Sequence, residues 1–510
     1  MSNQSGIVRE LSAHPRRAAL PTQIEDGGPE AGPWQAMLYA RLRGRPYPLF
    51  VFEEVIVPAA SIWSGARLWL HAFREAGLVA GDRIVVAVKP SPAFVQVLVA
   101  CLWEGYTVAF APETDQAHTI DALMTALDAR CAVAPVPFAA HVLTPQICEG
   151  PTEGPLTLRP SRYPATPEVR FLLRTSGSRS LNGGHWVGLS DRNLLSVLDS
   201  HLPRLGLVEQ HSHVLSILPW HHAFGLILDL LPALFSGAEI LRDAADGRDP
   251  DTLIRLGSEF RVTHLSAVPM TLMRLRERPE GDAFLRSLEG GIVGGAPVSR
   301  SLAEFLSETR LRAGYGQTEA SPGITLGEPG YWPGPNYLGR PIGCAVKTDR
   351  DGVLAFCGEN ACHGLWDPER GLQAVFGTPG EIGTWRTTGD IVRQMAVTGD
   401  LFFVGRSDDT FKLANGRRVA AGQMEMRLTL ICEGVSDAVL FSPEGETLVL
   451  LRTGAASEPG PSEDCLDSVL EGLRPRLTEN RYVAPENWPR TRKGTTDRQE
   501  LIRRFSQHTE

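Results

Sequence analysis

The sequence predicts an α/β protein with a large N-terminal domain of doubly wound sheets, a β-rich subdomain and a small mobile α+β C-terminal domain. At 510 residues the chain is too long for one hydrophobic core. Strand-like and helix-like runs alternate over its first two thirds, and short strands with glycine turns follow. We expect a flexible arm over 1–33, a large domain over 34–404 whose segment 335–404 is β-rich, and a small domain over 405–510.

The alternation is clearest between residues 83 and 112. "RIVVAV" predicts a strand, "SPAFVQVLVACLWEG" a helix that stops at Gly105, and "TVAFAP" the next strand. Strand–helix–strand order at this spacing is typical of a parallel sheet. "HVLSILP", "LILDLLPALFSG" and "AEILR" repeat the order, and "VTHLSAV" and "GGIVGGA" predict further strands.

The texture of the sequence changes after about residue 335. Short strands with glycine turns are predicted in "GVLAFCGENACHGLW", "EIGTWRTTGDIV" and "DLFFVGR". Beyond Arg406, strands are predicted in "TFKLA", "DAVLFS" and "TLVLLRT", and helices in "AAGQMEMRLTLICE" and "EDCLDSVLEGLRPRL". About 100 residues are enough for a small α+β domain.

Composition and charge narrow the class of protein. Hydrophobic residues make up 43% and charged residues 21%, which is ordinary for a soluble globular chain. The net charge of −9 argues against a nucleic-acid or anionic-membrane binder. The longest apolar stretch, 223–235, contains Asp229 and Pro232 and is too short to cross a bilayer. The eight cysteines form no CxxC pair, which predicts reduced thiols in a cytoplasmic protein.

Five polar islands carry the candidate chemistry. They are "TSGSRSLNGGHW" (175–186), "LPWHHAFG" (218–225), "GGAP" (294–297) with "GYGQTEASPG" (314–323), "TTGD" (387–390) and "GRSDDTFKLANGRRV" (405–419). The first follows an apolar strand, so its backbone N–H groups could hold an anion. Taken singly, each island is also typical of a turn or a surface pair. Their order over about 240 residues is the more specific observation.

That order resembles the adenylate-forming superfamily, which comprises acyl- and aryl-CoA synthetases, luciferases and peptide-synthetase adenylation domains. "YGQTE", "TGD" and "GRSDDTFKLANGRRV" match its motifs, with "GRPIG" and "GVLAFCGENACHGLW" between them. The resemblance runs from about residue 60 to the C-terminus. It implies a ligase that uses ATP and Mg²⁺ to form an acyl- or aryl-adenylate. The acyl group would then pass to a thiol, with coenzyme A or carrier-protein phosphopantetheine as acceptor and AMP as product.

The resemblance also implies a role for each matched residue. Glu319 would bind Mg²⁺ and Thr318 a phosphate. Asp390 would accept both ribose hydroxyls, since one carboxylate has two oxygens. The further implied residues are Arg406 on ribose or phosphate; Tyr315, Gly316, Gly295, Ala296 and Pro297 around adenine; Thr175, Ser176, Gly177 and Ser178 on the phosphates; His222 bordering the acyl pocket, with His221 where Phe is usual; and Asp408 as the hinge of the small domain.

The phosphate loop departs from the family pattern TSG(S/T)TG-x-PKG. Arg179 follows "TSGS" where Thr is usual, and Ser180 replaces Gly. After a two-residue insertion, His185 stands at the position of the lysine. Arg179 or His185 could supply the missing cation, the arginine at any pH and the histidine only partly near neutrality.

The C-terminal lysine motif, N-G-K-x-D-R in the family, also departs. In "RKGTTDR" (492–498) Thr495 takes the lysine position and Lys493 lies two residues earlier, while Gln423 replaces a usual Glu. Either nearby cations have taken over, or formation of the adenylate is impaired. A catalytically impaired accessory protein and an amide synthetase therefore stay open beside the acid–thiol ligase.

The expected partners follow from the same resemblance. The segment 218–240 is more similar to acyl-CoA and acyl-carrier synthetases than to amino-acid adenylation domains, which favours a small apolar carboxylic acid without an α-amine. The chain ends soon after "TDRQEL", so we expect a free-standing ligase with an acyl carrier protein as a candidate partner. No nucleic acid and no membrane span are expected.

Overall fold

A computed structural model describes residues 32–506 apart from 44–47, 53–54, 137–138, 147–149, 152–155, 176–183, 244, 375–383, 408–409, 413–417, 443–446, 455–459, 471–472 and 491–495. The predicted N-terminal arm therefore lies almost wholly outside the described residues, and Pro33 already begins a helix. No helix in the described part of the chain is both long and apolar enough to span a membrane.

The helices follow the apolar patterns of the sequence. They are α1 Pro33–Leu42, α2 Ala59–Glu75, α3 Pro92–Glu104, α4 Ala117–Leu127, α5 Asp191–His201, α6 Ala223–Gly225, α7 Leu231–Ser236, α8 Pro250–Glu259, α9 Pro269–Arg276, α10 Gly281–Ser287, α11 Arg300–Leu306, α12 Ala421–Ile431, α13 Glu463–Leu470 and α14 Arg498–Ser506. A π-helical segment, Leu226–Leu230, joins α6 to α7. Short 3₁₀ turns lie at Leu202–Arg204, Thr318–Ala320, Arg474–Arg476 and Pro485–Asn487.

The strands are short, as the glycine-rich texture predicts. They are β1 Pro48–Phe52, β2 Val55–Pro58, β3 Arg83–Val86, β4 Thr107–Phe110, β5 Cys131–Val133, β6 Val142–Leu143, β7 Pro145–Gln146, β8 Gly150–Pro151, β9 Phe171–Arg174, β10 Trp186–Leu189, β11 His213–Leu215, β12 Glu239–Arg242, β13 Ile292–Val293, β14 Arg312–Tyr315, β15 Thr325–Leu326, β16 Tyr337–Pro341, β17 Ala345–Thr348, β18 Val353–Cys357, β19 Gly364–Asp367, β20 Gly371–Gln373, β21 Arg386–Gln394, β22 Leu401–Arg406, β23 Thr410–Lys412, β24 Arg418–Ala420, β25 Asp437–Phe441, β26 Leu448–Thr453 and β27 Leu477–Tyr482.

The first large sheet has the order β20-β19-β10-β9-β4-β3-β5-β6. Its centre is parallel, with β3 beside β4 and β5, and β4 beside β9, as the strand–helix–strand pattern predicts. Ser91 caps α3 by accepting the N–H of Phe94, and Gly105 ends it at φ +86°. Both end signals are local, which is why the sequence places this unit correctly.

A second large sheet carries the candidate site. Its order is β13-β14-β15-β16-β22-β21-β18-β17, in which β13 and β14 run parallel and the other described pairs run antiparallel. The predicted strand "VTHLSAV" forms only isolated bridges, His264 to Val214 and Gly290, and Ala267 to Val293. Strands of the segment 335–404 join both large sheets, because β19 pairs with β10.

The C-terminal segment forms its own small core. Strands β25, β26 and β27 make one sheet, and α12 and α13 pack beside it around Leu428, Leu450 and Leu466. The expectation of reduced thiols is wrong for two cysteines, because Cys432 and Cys465 form a disulfide between the end of α12 and α13. Packing brings their Cα atoms to 5.8 Å although 33 residues separate them in sequence. Cys101, Cys131, Cys344, Cys357 and Cys362 are free thiols.

Candidate active site

The site is built at the carboxyl ends of the parallel strands β13 and β14. Gly294 follows β13, and its N–H donates to the carbonyl oxygen of Ala267 at 3.2 Å. A Cβ atom at Gly294 would lie 2.6 Å from the carbonyl oxygen of Gly314, so only glycine lets the two strand ends approach this closely. Carboxyl ends of parallel strands are where α/β folds commonly bind ligands.

Tyr315, Asp390 and Arg406 form one hydrogen-bonded group. The Tyr315 hydroxyl donates to Asp390 Oδ2 at 2.6 Å, and Arg406 donates to Asp390 Oδ1 at 2.8 Å. Asp390 and Arg406 face each other across β21 and β22, and the Asp390 side chain is almost wholly buried. Burial raises the pKa of Tyr315 well above its usual value, and the neighbouring carboxylate raises it further. Tyr315 therefore stays neutral and donates its hydroxyl proton. The motif around Tyr315 does not by itself indicate that this residue lies beside Asp390.

Glu319 lies in the short turn Thr318–Ala320, and its carboxylate contacts His185. The distance from His185 Nε2 to Glu319 Oε1 is 3.0 Å, and both side chains are partly exposed. The loop before Glu319 requires Gly316, because a Cβ atom there would lie 1.3 Å from the carbonyl oxygen of Pro322. The structure thus places His185 directly beside Glu319, the expected Mg²⁺ ligand.

Thr175 and His185 close the base of the first polar island. The Thr175 N–H donates to the His185 carbonyl at 2.9 Å, and the His185 N–H donates to the Thr175 hydroxyl at 3.1 Å. Strands β9 and β10, on either side of the island, pair antiparallel. The first helix after it begins at Asp191 and is capped by Ser190. His185, directly before β10, contacts Glu319 although 134 residues separate the two.

The second and third islands meet on the other side of the strand ends. Gly295 has φ +78°, and a Cβ atom there would lie 3.5 Å from Val268 and 4.0 Å from the ring of Phe224. The loop that continues through Ala296 and Pro297 therefore begins against Phe224. The rings of His221 and His222 lie 4.4 Å apart at the start of the same helical segment. Phe224 and Val268 thus lie beside the glycine loop that follows β13.

Several expected residues fall outside the described part of the chain. They are Ser176, Gly177, Ser178, Arg179, Asp408, Lys493 and Thr495, and the side chain of Gln423 is likewise outside it. A nearby pair was missed by the sequence reasoning. Glu425 accepts the Leu440 N–H at 2.6 Å and also pairs with Arg498, the arginine of "TDR". The sequence could have indicated this pair, because Glu425 is an acidic residue only two positions after Gln423.

The described side chains could hold a hard dication such as Mg²⁺ only if a bound ligand supplied further oxygen atoms. No group of three or more His, Cys, Asp or Glu side chains among the described residues could hold a metal ion. Mg²⁺ usually takes one or two carboxylates together with phosphate oxygens and waters. Glu319, with the hydroxyl of Thr318 beside it in sequence, fits that incomplete donor set.

Asp229 is a buried carboxylate that the sequence reasoning treated only as an interruption of an apolar stretch. It lies in the π-helical segment and is 3% exposed. Burial raises its pKa from 3.8 to about 7, although hydrogen bonds from Ser216 and Ser266 and the charge of Arg242 oppose the rise. The sequence did indicate that this acid is unusual, because Asp229 is the one ionisable residue in the stretch 223–235.

Replacement of this acid is expected to change how stability depends on pH. An acid whose pKa is raised by folding is stabilising while it is protonated, and that contribution is lost as pH rises through its folded pKa. Between about pH 4 and 7 the wild type should therefore lose stability relative to Asp229→Asn, by on the order of 1–4 kcal/mol. Thermal unfolding of both proteins from pH 5 to 8 checks this. A constant difference in Tm over that range would contradict it.

Comparison with known sequences indicates the same class of protein as the geometry of the site. The chain matches the family described as AMP-binding enzyme over residues 70–352, which is more than half of its length. It is 27% identical over 500 residues to the nonribosomal peptide synthetase sidE of Aspergillus fumigatus, covering 88% of this chain and 22% of that protein. It is 27% identical over 392 residues to the anthranilate–CoA ligase of Pseudomonas aeruginosa, covering 71% of this chain and 73% of that one.

Comparison with solved structures shows the same fold. The structure of wild-type E. coli MenE with a bound m-phenylether-linked analogue of OSB-AMS has a TM-score of 0.70. The match covers 94% of this chain and 99% of that one at 18% sequence identity. The architecture, the ordered motifs and the family match agree, and the chain therefore belongs to the AMP-binding enzyme family of adenylate-forming ligases.

Proposed function

We propose that this protein activates a small carboxylic acid with ATP and passes the acyl group to a thiol. In the first step the acid carboxylate displaces pyrophosphate from the α-phosphorus of ATP and gives an acyl-adenylate. In the second step the thiol displaces AMP and gives a thioester. The observation that carries the proposal is the arrangement of Glu319, His185, Tyr315, Asp390 and Arg406 around the ends of two parallel strands.

The nucleotide would be held by residues from both large sheets. Asp390 would accept the ribose hydroxyls, and Arg406 would lie beside the ribose or a phosphate. Tyr315 and Gly316, with the loop of Gly295, Ala296 and Pro297, would enclose the adenine. Thr175, Ser176, Gly177 and Ser178 would bind the phosphates, and Glu319 with Thr318 would hold Mg²⁺ against them. Bound Mg²⁺ neutralises phosphate charge, which is the main requirement for displacement at phosphorus.

Activity would require another residue to supply the positive charge that the family's phosphate loop takes from a lysine. His185 lies 3.0 Å from Glu319, so a cation at this position is already next to the expected metal and phosphates. Imidazole carries its charge only when protonated, whereas arginine is always charged. We therefore propose that His185, with Arg179, supplies the positive charge of the missing loop lysine. Lys493 would take the role of the family's C-terminal lysine, whose position Thr495 occupies.

The acid is proposed to be apolar and to lack an α-amine. Phe224 and Val268 border the glycine loop, and His221 and His222 stand at the start of the same helical wall. Coenzyme A and the phosphopantetheine of a carrier protein present the same thiol. We propose one of these as acceptor and, because the reaction consumes ATP, a cytoplasmic setting.

Acid-dependent ATP–pyrophosphate exchange tests the first step. The panel should include aliphatic, aromatic and amino acids, because exchange with an α-amino acid alone would contradict the proposed acid class. Trapping with hydroxylamine then reports the adenylate independently of the acceptor. Coenzyme A, a phosphopantetheinylated carrier protein and amines, added separately, distinguish the thiol ligase from an amide synthetase. If the folded protein binds ATP and shows no exchange with any acid, the hypothesis of a catalytically impaired accessory protein would be favoured.

Asp390→Asn is expected to weaken ATP binding more than it slows the chemical step. The substitution removes the charge that pairs with Arg406 and one acceptor for the ribose hydroxyls. Loss of charge-assisted hydrogen bonds should raise the KM for ATP by about 10- to 100-fold. Steady-state kinetics with varied ATP measure it.

Asp400→Asn is the matched control for this variant. Asp400 is also buried, lies directly before the neighbouring strand β22 and is bound by Arg340, Tyr331 and Tyr337. It should lose stability while keeping the KM for ATP. Equal KM changes in the two variants would remove Asp390 from the nucleotide site.

A further inference from the structure

The turn that carries Glu319 has an unusual backbone conformation. Ser321, two residues after Glu319, has φ +58° although it is not glycine, and it is fully buried. Residues with a side chain rarely adopt this left-handed conformation, so the contacts of the turn must hold it. The N–H of Gly323 closes the turn by donating to the carbonyl oxygen of Ala320 at 2.9 Å. The partners of Ser321 and Gly323 therefore indicate what fixes Glu319 in place.

Asn360 binds this turn from a distant part of the sequence. Its side-chain amide donates to the carbonyl oxygen of Gly323 at 2.6 Å, and its backbone carbonyl accepts the Ser321 hydroxyl at 2.8 Å. Two residues further on, the N–H of Cys362 donates to the carbonyl oxygen of Glu319 at 2.8 Å. Asn360 is 2% exposed, and a buried amide persists only where hydrogen bonds offset its loss of water. Three hydrogen bonds thus join this stretch of chain to the turn.

The same stretch, residues 360–363, is also bound to β10 and α5. The N–H of His363 donates to the carbonyl oxygen of Gly188 in β10 at 2.9 Å. In the first turn of α5, the side-chain amide of Asn193 donates to a carbonyl oxygen of the stretch at 2.8 Å. Strand β10 begins directly after His185. Residues 360–363 thus connect the strand beside His185 with the turn described above, and we call them the bridging segment.

We propose that Asn360 is a positioning residue, which holds Glu319 at the spacing from His185 that Mg²⁺ and the phosphates of ATP require. His185 Nε2 and Glu319 Oε1 lie 3.0 Å apart although 134 residues separate them, and the bridging segment binds the chain beside each. A leucine would fill much of the space of Asn360 but could not donate to Gly323. The role in Mg²⁺ binding rests on the proposed function, whereas the fixing of the turn does not.

Hydrogen–deuterium exchange of the full-length protein tests whether Asn360 fixes the turn. In Asn360→Leu, peptides covering 316–324 should exchange about tenfold faster than in wild type, as expected for the loss of one buried hydrogen bond. Asn360→Gln keeps the amide donor on a side chain one methylene longer and should recover part of that loss. Deuterium exchange as slow in Asn360→Leu as in wild type would overturn the proposal.

Thr107→Val is the matched control for the loss of a buried donor. Thr107 is fully buried at the start of β4 in the first large sheet, and its hydroxyl donates to the carbonyl oxygen of Val169 at 2.6 Å. Its replacement should lower the Tm without making 316–324 exchange faster. If Thr107→Val and Asn360→Leu speed deuterium exchange of this peptide equally, the effect reflects general loss of stability and the proposal fails.

The Mg²⁺ dependence of pyrophosphate exchange tests the consequence for the metal. Asn360→Leu should raise the Mg²⁺ concentration for half-maximal activity by about tenfold or more, the usual cost of removing a group that orients a metal ligand. The KM for the acid should stay near wild type, and Thr107→Val should keep the wild-type Mg²⁺ requirement. An unchanged Mg²⁺ requirement in Asn360→Leu would overturn the positioning role. Absence of activity in the wild type would defeat the proposed function instead, and deuterium exchange would still decide whether Asn360 fixes the turn.

Ser321 variants keep the proposal testable if Asn360→Leu does not fold. Glycine adopts φ +58° without strain, so Ser321→Gly should fold, yet it lacks the hydroxyl that donates to Asn360. It should therefore show faster deuterium exchange over 316–324 and require more Mg²⁺. Ser321→Ala lacks the same hydroxyl but keeps the Cβ atom, so the same changes in both variants assign the effect to the hydroxyl rather than to the flexibility of glycine. Wild-type behaviour of Ser321→Ala in both measurements would overturn the proposal.

Discussion

Glu319→Gln is expected to reduce Mg²⁺-dependent pyrophosphate exchange by about 100- to 1000-fold, the usual loss for one charge contact in a transition state. The carboxylate is the expected ligand of a hard dication, and a neutral amide binds Mg²⁺ far less well. The amide oxygen can still accept from His185, which now contacts the carboxylate at 3.0 Å. The fold should therefore be retained while activity is lost. Exchange rates at several Mg²⁺ concentrations, with thermal unfolding of the same samples, measure both.

Glu359→Gln is the matched control for this change. Glu359 lies on a nearby loop, is exposed and pairs with Arg192 at the surface. Its replacement should leave exchange and its Mg²⁺ dependence unchanged. Normal exchange in a folded Glu319→Gln protein would remove Glu319 from the metal site.

Lys493→Ala is expected to slow adenylate formation by about 10- to 1000-fold, again the loss of one charge contact. ATP carries about four negative charges and Mg²⁺ cancels two, so other cations must oppose the rest as charge shifts at the α-phosphorus. Thr495→Lys, which puts a lysine where the family resemblance leads us to expect one, should rescue this variant or raise the wild-type rate. Single-turnover formation of the adenylate measures the step without the acceptor.

Lys347→Ala controls for the loss of a positive charge, since Lys347 lies over the ring of Trp385 at the surface. Its rate should match the wild type. A silent Lys493→Ala together with activity that appears only in Thr495→Lys would contradict the role of Lys493. That pair of results would indicate an impaired enzyme whose single defect is the residue at 495.

The sequence by itself determined the local units and the chemistry of the motifs. Strand β3, helix α3 and strand β4 are encoded by apolar runs, a serine cap and a glycine stop within residues 83–110. Glu319, Tyr315 and Asp390 could be named because the ordered motifs resemble a known family, and the family match confirms that resemblance. The sequence alone also shows that histidine and threonine stand at 185 and 495, where the resemblance leads one to expect lysines.

Only the tertiary structure decided which of these residues touch. Tyr315 and Asp390 are 75 residues apart, and His185 and Glu319 are 134 apart, so periodicity and spacing carry no information on either pair. The Cys432–Cys465 disulfide and the pairing of β19 with β10 depend in the same way on long-range packing. Asp229 is the sharpest case, because an acid in an apolar run predicts an interruption, whereas the fold buries this acid and places the Ser216 hydroxyl against it. The physical reason is that local sequence sets backbone preferences, while the partners of a buried polar group are set by where the whole chain brings its donors.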